Sequence, residues 1–339
     1  MTEDTLVAAL REIVEAPARG RVPGPRPIVL GIGDDAAVWQ PSRSHLSVIT
    51  TDALVDGVHF ASEQLDARTI GHRAMAANLS DIAAMGARPV LVTVALGVAP
   101  QTTESWILEC YRGMAALAER HGACIVGGDL VRAPAVTLAL TVVGEVSRSR
   151  LKRRSGGRPG DVLAVTGALG ASRAGLEVLR QQGVLALDED SRRTALAAFA
   201  TPQPRVAEGR WLSASANVNA MMDSSDGLST DLGRLAAASG CGAAIERVPV
   251  DPSAAAVASA AGGDARAYAL DGGEDFELLV AVAPRAFAHL ARRFARRFGR
   301  PLLAVGRLEA VRGLRARDGD GERPLAAAGF DHFASGGSQ

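Results

Sequence analysis

Four apolar segments of this chain run into carboxylates, and a fold that accepts such a pattern must dispose of the charge. One segment leads into Gly31-Ile32-Gly33-Asp34-Asp35-Ala36-Ala37, and a second, Leu46-Ser47-Val48-Ile49, leads into Thr50-Thr51-Asp52. The format recurs as Ala123-Cys124-Ile125-Val126-Gly127-Gly128-Asp129, and again from Val218 to Met221-Met222-Asp223-Ser224-Ser225-Asp226. Short apolar runs that stop in Gly, Asp, Ser and Thr predict strands with these carboxylates and hydroxyls at their ends. Taken singly, each motif is ordinary turn or cap chemistry. Taken together, they exceed what turns require. Carboxylates gathered at strand ends repel one another, and burying them unpaired costs on the order of several kcal/mol each, so they call for cations.

Ligand type narrows the cation. The acidic set offers only oxygen, and no Cys or His pair stands at metal spacing, which suits Mg²⁺ or Mn²⁺ and disfavours structural zinc. Mg²⁺ is usually shared with substrate phosphates, which points to phosphate chemistry. Lys152 is the only lysine in 339 residues, and no G-x-x-x-x-G-K-[ST] is present. This excludes Walker-type NTPases, protein kinases and Schiff-base enzymes, all of which place a lysine at the reacting group. A nucleotide would have to be handled with metal and arginine. No G-x-S-x-G elbow, Ser-His-Asp order or D-x-[DN]-x-[DN]-G calcium loop stands out. Lys+Arg and Asp+Glu balance at 37 each, so no global field recruits nucleic acid or an anionic membrane. The longest apolar stretch, around Val90 to Ala99, is too short to span a bilayer. Cys110, Cys124 and Cys241 form no C-x-x-C pair and are odd in number, as in a reducing cytoplasm.

Along the chain, Thr5 to Glu15 has helical apolar spacing, and the prolines from Pro17 to Pro27 enforce an irregular connection. Leu54 to Phe60 reads as a turn carrying His59, which by its residues alone is a partly exposed loop histidine. A helix is predicted from Ala67 to Met85 with Asp66 as its cap, and Asn78 and Asp81 share one of its faces beside Ala76, Leu79 and Ile82. A strand at Pro89 to Gly97, a helix at Thr103 to His121, a strand ending at Asp129 and another at Val136 to Val146 give the order of an α/β domain. The basic, glycine-rich joint Arg150 to Gly160 marks a boundary, dividing the chain into 1–148 and 149–339. The second half restarts with a strand at Asp161 to Thr166 and a Gly167-Ala168-Leu169-Gly170 turn into a helix. A helix from Leu228 to Ser239 places Asp223 to Asp226 at its N-terminus, where free amides bind anions. Gly272-Gly273-Glu274-Asp275 sets a carboxylate pair on a tight backbone, and Arg292, Arg293, Arg296 and Arg297 form a solvated helical face.

The motifs Gly31–Ala37, Thr50–Asp52 through Gly57-Val58-His59-Phe60, Asn78-Leu79-Ser80-Asp81-Ile82-Ala83-Ala84-Met85-Gly86-Ala87, Gly127-Gly128-Asp129, Asp223-Ser224-Ser225-Asp226-Gly227-Leu228 and Gly272–Asp275 resemble, in this order, those of thiamine-monophosphate kinases. These belong to the wider aminoimidazole-ribonucleotide-synthetase-like superfamily. The resemblance implies a two-domain α/β (α+β) fold, an N-terminal domain that forms a homodimer through its strands, and an active site between the domains. It implies ATP as phosphoryl donor, thiamine monophosphate as acceptor and several Mg²⁺ ions. Carried over position by position, Asp35, Thr50, Thr51, Asp52, Asp81, Asp129, Asp223 and Asp226 would ligate metal. Gly128, Asp129, Arg154 and Ser225 would contact ATP, while His59, Glu274 and Phe330 would contact the thiamine phosphate. Ser224 departs from the apolar residue usual between the two aspartates, and Pro249 to Tyr268 and Glu309 to Arg323 show little resemblance. A phosphomonoester acceptor, with a second pKa near 6, is already anionic at neutral pH, so no catalytic general base is required. Selenophosphate synthetases fit poorly, because the first cysteine is Cys110, and so do hydrogenase-maturation relatives, because the tail ends Ser335-Gly336-Gly337-Ser338-Gln339. An aminoimidazole-ribonucleotide-synthetase-type ligase and a non-catalytic Mg²⁺-nucleotide sensor are the remaining alternatives.

Overall fold

A computed structural model describes residues 3–15, 28–32, 36–181, 184–318 and 321–329. The proline-rich stretch Pro17 to Pro27 lies outside them. The chain divides into two compact units, Met1–Ile82 with Ala87–Arg148 and Ala83–Gly86 with Ser149–Gln339.

The first unit contains helix α1 (Glu3–Glu15), strands β1 (Ile28–Leu30), β2 (Val38–Trp39) and β3 (Leu46–Val55), helix α2 (Ala67–Ala84), β4 (Arg88–Val98), α3 (Glu104–Arg120), β5 (Cys124–Arg132) and β6 (Thr137–Val146). Strands β1 and β2 pair with each other, and the remaining four form a sheet in the order β3-β6-β4-β5. Only β4 and β5 run parallel; β3 and β4 are antiparallel to β6. Helix α2 follows its predicted course, with the Asp66 carboxylate accepting from the Thr69 amide at 2.9 Å. Its Ile70, Met75, Leu79 and Ile82 are fully buried. Helix α3 is capped by Thr103, whose hydroxyl accepts from Trp106 N–H at 3.2 Å.

Strand β3 alternates cleanly. Ser47, Ile49, Thr51 and Ala53 are exposed, whereas Leu46, Val48, Thr50, Asp52 and Leu54 are half-buried or buried. Register carries this side across the sheet: Ile49, Thr51 and Ala53 stand opposite Val143, Thr141 and Ala139 of β6, and these face Leu91, Thr93 and Ala95 of β4; the side is open around Thr51 and Ala53, while Val143 and Leu91 are buried in a cluster with Ile28 and Trp39 packed against it. The predicted strand ends are corrected here. β3 pairs with β6 as far as Val55–Thr137, so Asp52 lies inside the strand, and β5 continues to Arg132, past Asp129. A polar side chain is tolerated at both places because β3 and β5 are edge strands.

The second unit comprises β7 (Val162–Val165), α4 (Ala171–Arg180), α5 (Glu189–Ala200), α6 (Val206–Ser213), β8 (Val218–Ser224), α7 (Leu228–Ala238), β9 (Gly242–Ile245), α8 (Pro252–Ala261), α9 (Ala265–Asp271), β10 (Glu277–Val282), α10 (Pro284–Phe298), β11 (Leu303–Glu309), β12 (Leu314–Asp318) and β13 (Gly321–Pro324). Its seven-stranded sheet has the order β13-β12-β9-β11-β7-β10-β8, with β12 and β9 the parallel pair. One core joins Leu163, Val165, Met222, Leu279 and Val305 of the sheet to Leu228, Leu232 and Leu235 of α7. A smaller one joins α4, α5 and α8 through Ala174, Val178, Ala195 and Val257. Arg292, Arg293, Arg296 and Arg297 of α10 are exposed, and Arg293 lies 5.7 Å from the Trp211 ring centre.

Within this unit the buried Glu277 is answered on every side. It accepts from Arg205 Nη2 at 2.7 Å, Arg205 Nε at 3.1 Å, Arg300 Nη2 at 2.5 Å and the Thr166 hydroxyl at 2.5 Å. Burial alone would raise its pKa, but Arg205 and Arg300 outweigh it and hold the carboxyl below the ordinary glutamate value. A depressed pKa contributes stability above the unfolded value, and that contribution disappears as pH falls through the folded one. Glu277→Gln should therefore lower the unfolding free energy by about 3–5 kcal/mol at neutral pH. In denaturant titrations the gap between the two proteins should close as pH drops below the usual glutamate range; a pH-independent gap would contradict the pairing.

Candidate active site

In the first unit the inward face of β3 meets α2. The Thr50 hydroxyl is in contact with the Asp81 carboxylate, and the Asp52 amide donates to Asn78 Oδ1 at 3.1 Å. Asn78 is anchored in turn by its Nδ2 on Ala74 C=O at 3.0 Å. The predicted pairing of Asn78 with Asp81 on one helix face thus sets both beside Thr50 and Asp52. Thr51 is different. Strand alternation turns its side chain to the open face, where its hydroxyl donates to Leu140 C=O at 2.9 Å. Asp129 pairs with Ala95 and shares that open face, so the sheet separates it from Asp52, which pairs with Leu140. Gly128 fits its place for lack of a side chain, since a Cβ there would stand 2.0 Å from the Val94 carbonyl oxygen.

His59 closes a turn after β3. Its Nδ1 accepts from the Val55 amide at 3.1 Å, so in the neutral ring the proton sits on Nε2. Arg73, buried in α2, reaches the His59 carbonyl at 3.4 Å and holds the turn from beneath.

In the second unit Asp223 is buried on β8 in register with Leu278, and Ser225 and Asp226 lead into α7. The Ser225 and Asp226 amides donate to Asp231 Oδ2 at 3.0 and 3.1 Å, so the chain supplies its own anion. Arg234 pairs with Asp231 at 3.1 Å and also with Asp226. Burial, reinforced by the Asp226 charge, pushes Asp231 up to about 6. Asp231 fixes this loop and was not singled out from the sequence. Its signal was a carboxylate among Leu228, Leu232 and Leu235, where a solvated side chain has no place. Arg154 is exposed, and its carbonyl accepts from Ser239 Oγ at 3.1 Å.

Glu274 follows Gly273 on a left-handed backbone, with its amide donating to the Ser225 carbonyl at 2.7 Å. Asp275 turns away from it and accepts from the Gly170 and Ser172 amides; burial pushes it up to about 7 despite those bonds. Asp35 and Phe330 lie outside the described residues. The chain before Phe330 is tied beside the acidic loop, because Gly329 N–H donates to Thr230 Oγ1 at 3.1 Å and its Cα lies against the Asp226 carbonyl.

The donor chemistry fits a hard cation. Taken by itself, the first unit offers oxygens at Thr50, Asp52 and Asp81, and the second offers oxygens at Asp223 and Asp226. Among the described residues no three His, Cys, Asp or Glu side chains form a complete metal cage. Mg²⁺ rarely uses such a cage, since it keeps waters and shares substrate phosphates. Lys152 is already engaged. Its ammonium donates to the Ser215 and Val218 carbonyls at 2.9 and 2.7 Å, and burial lowers its pKa.

Residues 33–146 match the family model described as AIR synthase related protein, N-terminal domain, and residues 158–318 match the corresponding C-terminal domain. A thiamine-monophosphate kinase of Synechococcus elongatus is 36% identical over 309 residues, covering 89% of this chain and 91% of the relative. The crystal structure of thiamine-monophosphate kinase from Stenotrophomonas maltophilia superposes with a TM-score of 0.80 at 34% identity, covering 93% of this chain and 96% of that one. A structure described as AaThiL complexed with AMPPCP and TMP gives a TM-score of 0.75 at 28% identity, over 86% of this chain and 89% of its own. The chain belongs to the thiamine-monophosphate kinase family, built from the two AIR synthase related domains.

Proposed function

We propose that this protein transfers the γ-phosphoryl group of ATP to thiamine monophosphate, giving ADP and thiamine diphosphate, by direct in-line attack of the acceptor phosphate. The observation that carries this reading is the grouping of Thr50, Asp52 and Asp81 on one face, in a chain whose only lysine is committed to two backbone carbonyls. Such a site is suited to a metal-bound phosphate and to little else. The likeness to a kinase described with AMPPCP and TMP supports the choice of donor and acceptor.

The obstacle to the reaction is electrostatic. Two groups each near −2 at about 5 Å repel by about 13 kcal/mol at an effective dielectric of about 20, more than one or two arginines offset. Mg²⁺, when bound, supplies the positive charge that lets two phosphates approach and align. Thr50, Asp52 and Asp81 would hold Mg²⁺ in the first unit, with Asp35 as a further ligand, and Asp223 and Asp226 would hold it in the second. Thr51, with its hydroxyl on the other face, falls outside that set. Gly128, Arg154 and Ser225 are assigned to ATP, and His59, Glu274 and Phe330 to thiamine monophosphate; Asp129, implied by the resemblance for both metal and ATP, lies on the other face of the sheet and falls outside these sets. No side chain is required to take a proton from the acceptor, because the phosphate is already ionised.

The open face of the first sheet, with Ile49 68% exposed and Val131 50% exposed, supports association of two copies through their strands. Asp129 would then stand at that interface. No helix among the described residues is long and apolar enough to cross a membrane. A cytoplasmic, homodimeric enzyme is the reading these features support.

Rapid mixing with γ-labelled ATP and thiamine monophosphate tests the reaction. The label should pass to thiamine diphosphate within one turnover; labelled protein in the quench would contradict direct transfer, and unlabelled thiamine diphosphate would contradict the activity. Ile49→Arg should convert a dimer to a monomer in sedimentation, whereas unchanged mass would remove the sheet face as the interface.

A further inference from the structure

Among the described residues, the only non-glycine positions with left-handed backbone are Glu274 (φ 55°) and Phe276 (φ 49°), and they follow Gly273 at φ 69°. Side chains strain this region, so neighbouring structure must impose it. Three attachments do so. The Glu274 amide donates to the Ser225 carbonyl at 2.7 Å, and the Phe276 amide donates to the Ser224 carbonyl at 3.1 Å. These bonds staple the segment to the backbone between Asp223 and Asp226. The third attachment is a side chain: Asp275 Oδ2 accepts from Gly170 N–H at 2.7 Å and Oδ1 from Ser172 N–H at 3.1 Å, in the first turn of α4. Both oxygens of one carboxylate are thereby committed, on the residue that separates the two strained positions. Phe276, buried at 6% exposure, anchors the far end.

We propose that Asp275 is a positioning residue, clasping the first turn of α4 so that Glu274 is held in its left-handed conformation and presents its carboxylate at a fixed point to the thiamine moiety. Asp275 itself touches no substrate. The inference rests on the assignment of Glu274 to the acceptor and deepens it. It gives two successive carboxylates different duties, Asp275 on backbone amides and Glu274 in recognition. A simple helix cap at Asp275 would affect stability alone. A clasp acting through Glu274 must appear in acceptor affinity and must vanish when Glu274 is altered.

The test is a double-mutant cycle with Asp275→Asn and Glu274→Gln, measuring KM for thiamine monophosphate, KM for ATP, kcat and Tm. Asp275→Asn should raise the acceptor KM roughly fivefold or more and leave the ATP KM within about twofold; in the Glu274→Gln background it should change the acceptor KM by less than about twofold. A folded Asp275→Asn protein with wild-type acceptor KM overturns the proposal. So does an equal effect in both backgrounds, or a parallel rise in both KM values. Should Asp275→Asn fail to fold, Asp275→Glu, which keeps the charge but displaces it by one methylene, is judged by the same criteria. Glu274→Gln with an unchanged acceptor KM would instead remove the assignment of Glu274, a result distinct from failure of the clasp alone.

Discussion

Burial of carboxylates against backbone amides is the interaction on which the second unit depends. A carboxylate removed from water must find donors at once, or the fold loses several kcal/mol, on the order of a large share of its net stability. Asp231 finds the Ser225 and Asp226 amides, Asp275 finds Gly170 and Ser172, and Glu277 finds two arginines and a threonine. Asp231 and Asp275 tie down the backbone around Ser225–Asp226 and Gly273–Phe276, so the backbone of Asp226 and Glu274 is already set. An arrangement fixed before ligand arrives loses less entropy on binding, which matters where two highly charged phosphates must be aligned.

The same division of labour governs the cations. The one lysine is spent on carbonyls beside β8, and Arg205 and Arg300 are spent on Glu277. On the proposed reading, oxygens on β3 and α2 hold a cation that supplies the remaining positive charge for a phosphate. Sheet geometry refines the set, because a strand cannot turn three successive residues the same way. Thr50 and Asp52 face α2; Thr51 does not.

Much of this was legible in the sequence. The helices from Ala67 and from Thr103, the strand near Val136 and the helix at Leu228 follow from apolar period and caps, and the structure places them within a residue or two. The acidic motifs were likewise visible as motifs. What period and capping do not encode is partnership through space. Asp52 and Asp129 looked alike as acids ending apolar runs, yet register with β6 and β4 sends them to opposite faces. Asp231 drew no notice and Asp275 looked like half of a loop pair; their contacts are with amides five or six residues away in one case and about a hundred in the other. His59 read as a loop histidine because the bond from Val55 that sets its tautomer is a feature of the closed turn alone.

The central claim is that metal held by aspartates, rather than a protein ammonium, carries the nucleotide's phosphates. Calorimetric titration of AMPPCP into the wild-type protein and Asp52→Asn, with Mg²⁺ and with EDTA, tests it most directly. The account predicts that binding requires Mg²⁺ and is weakened at least about tenfold, or 1.4 kcal/mol, by Asp52→Asn. Equal affinity in EDTA would contradict it.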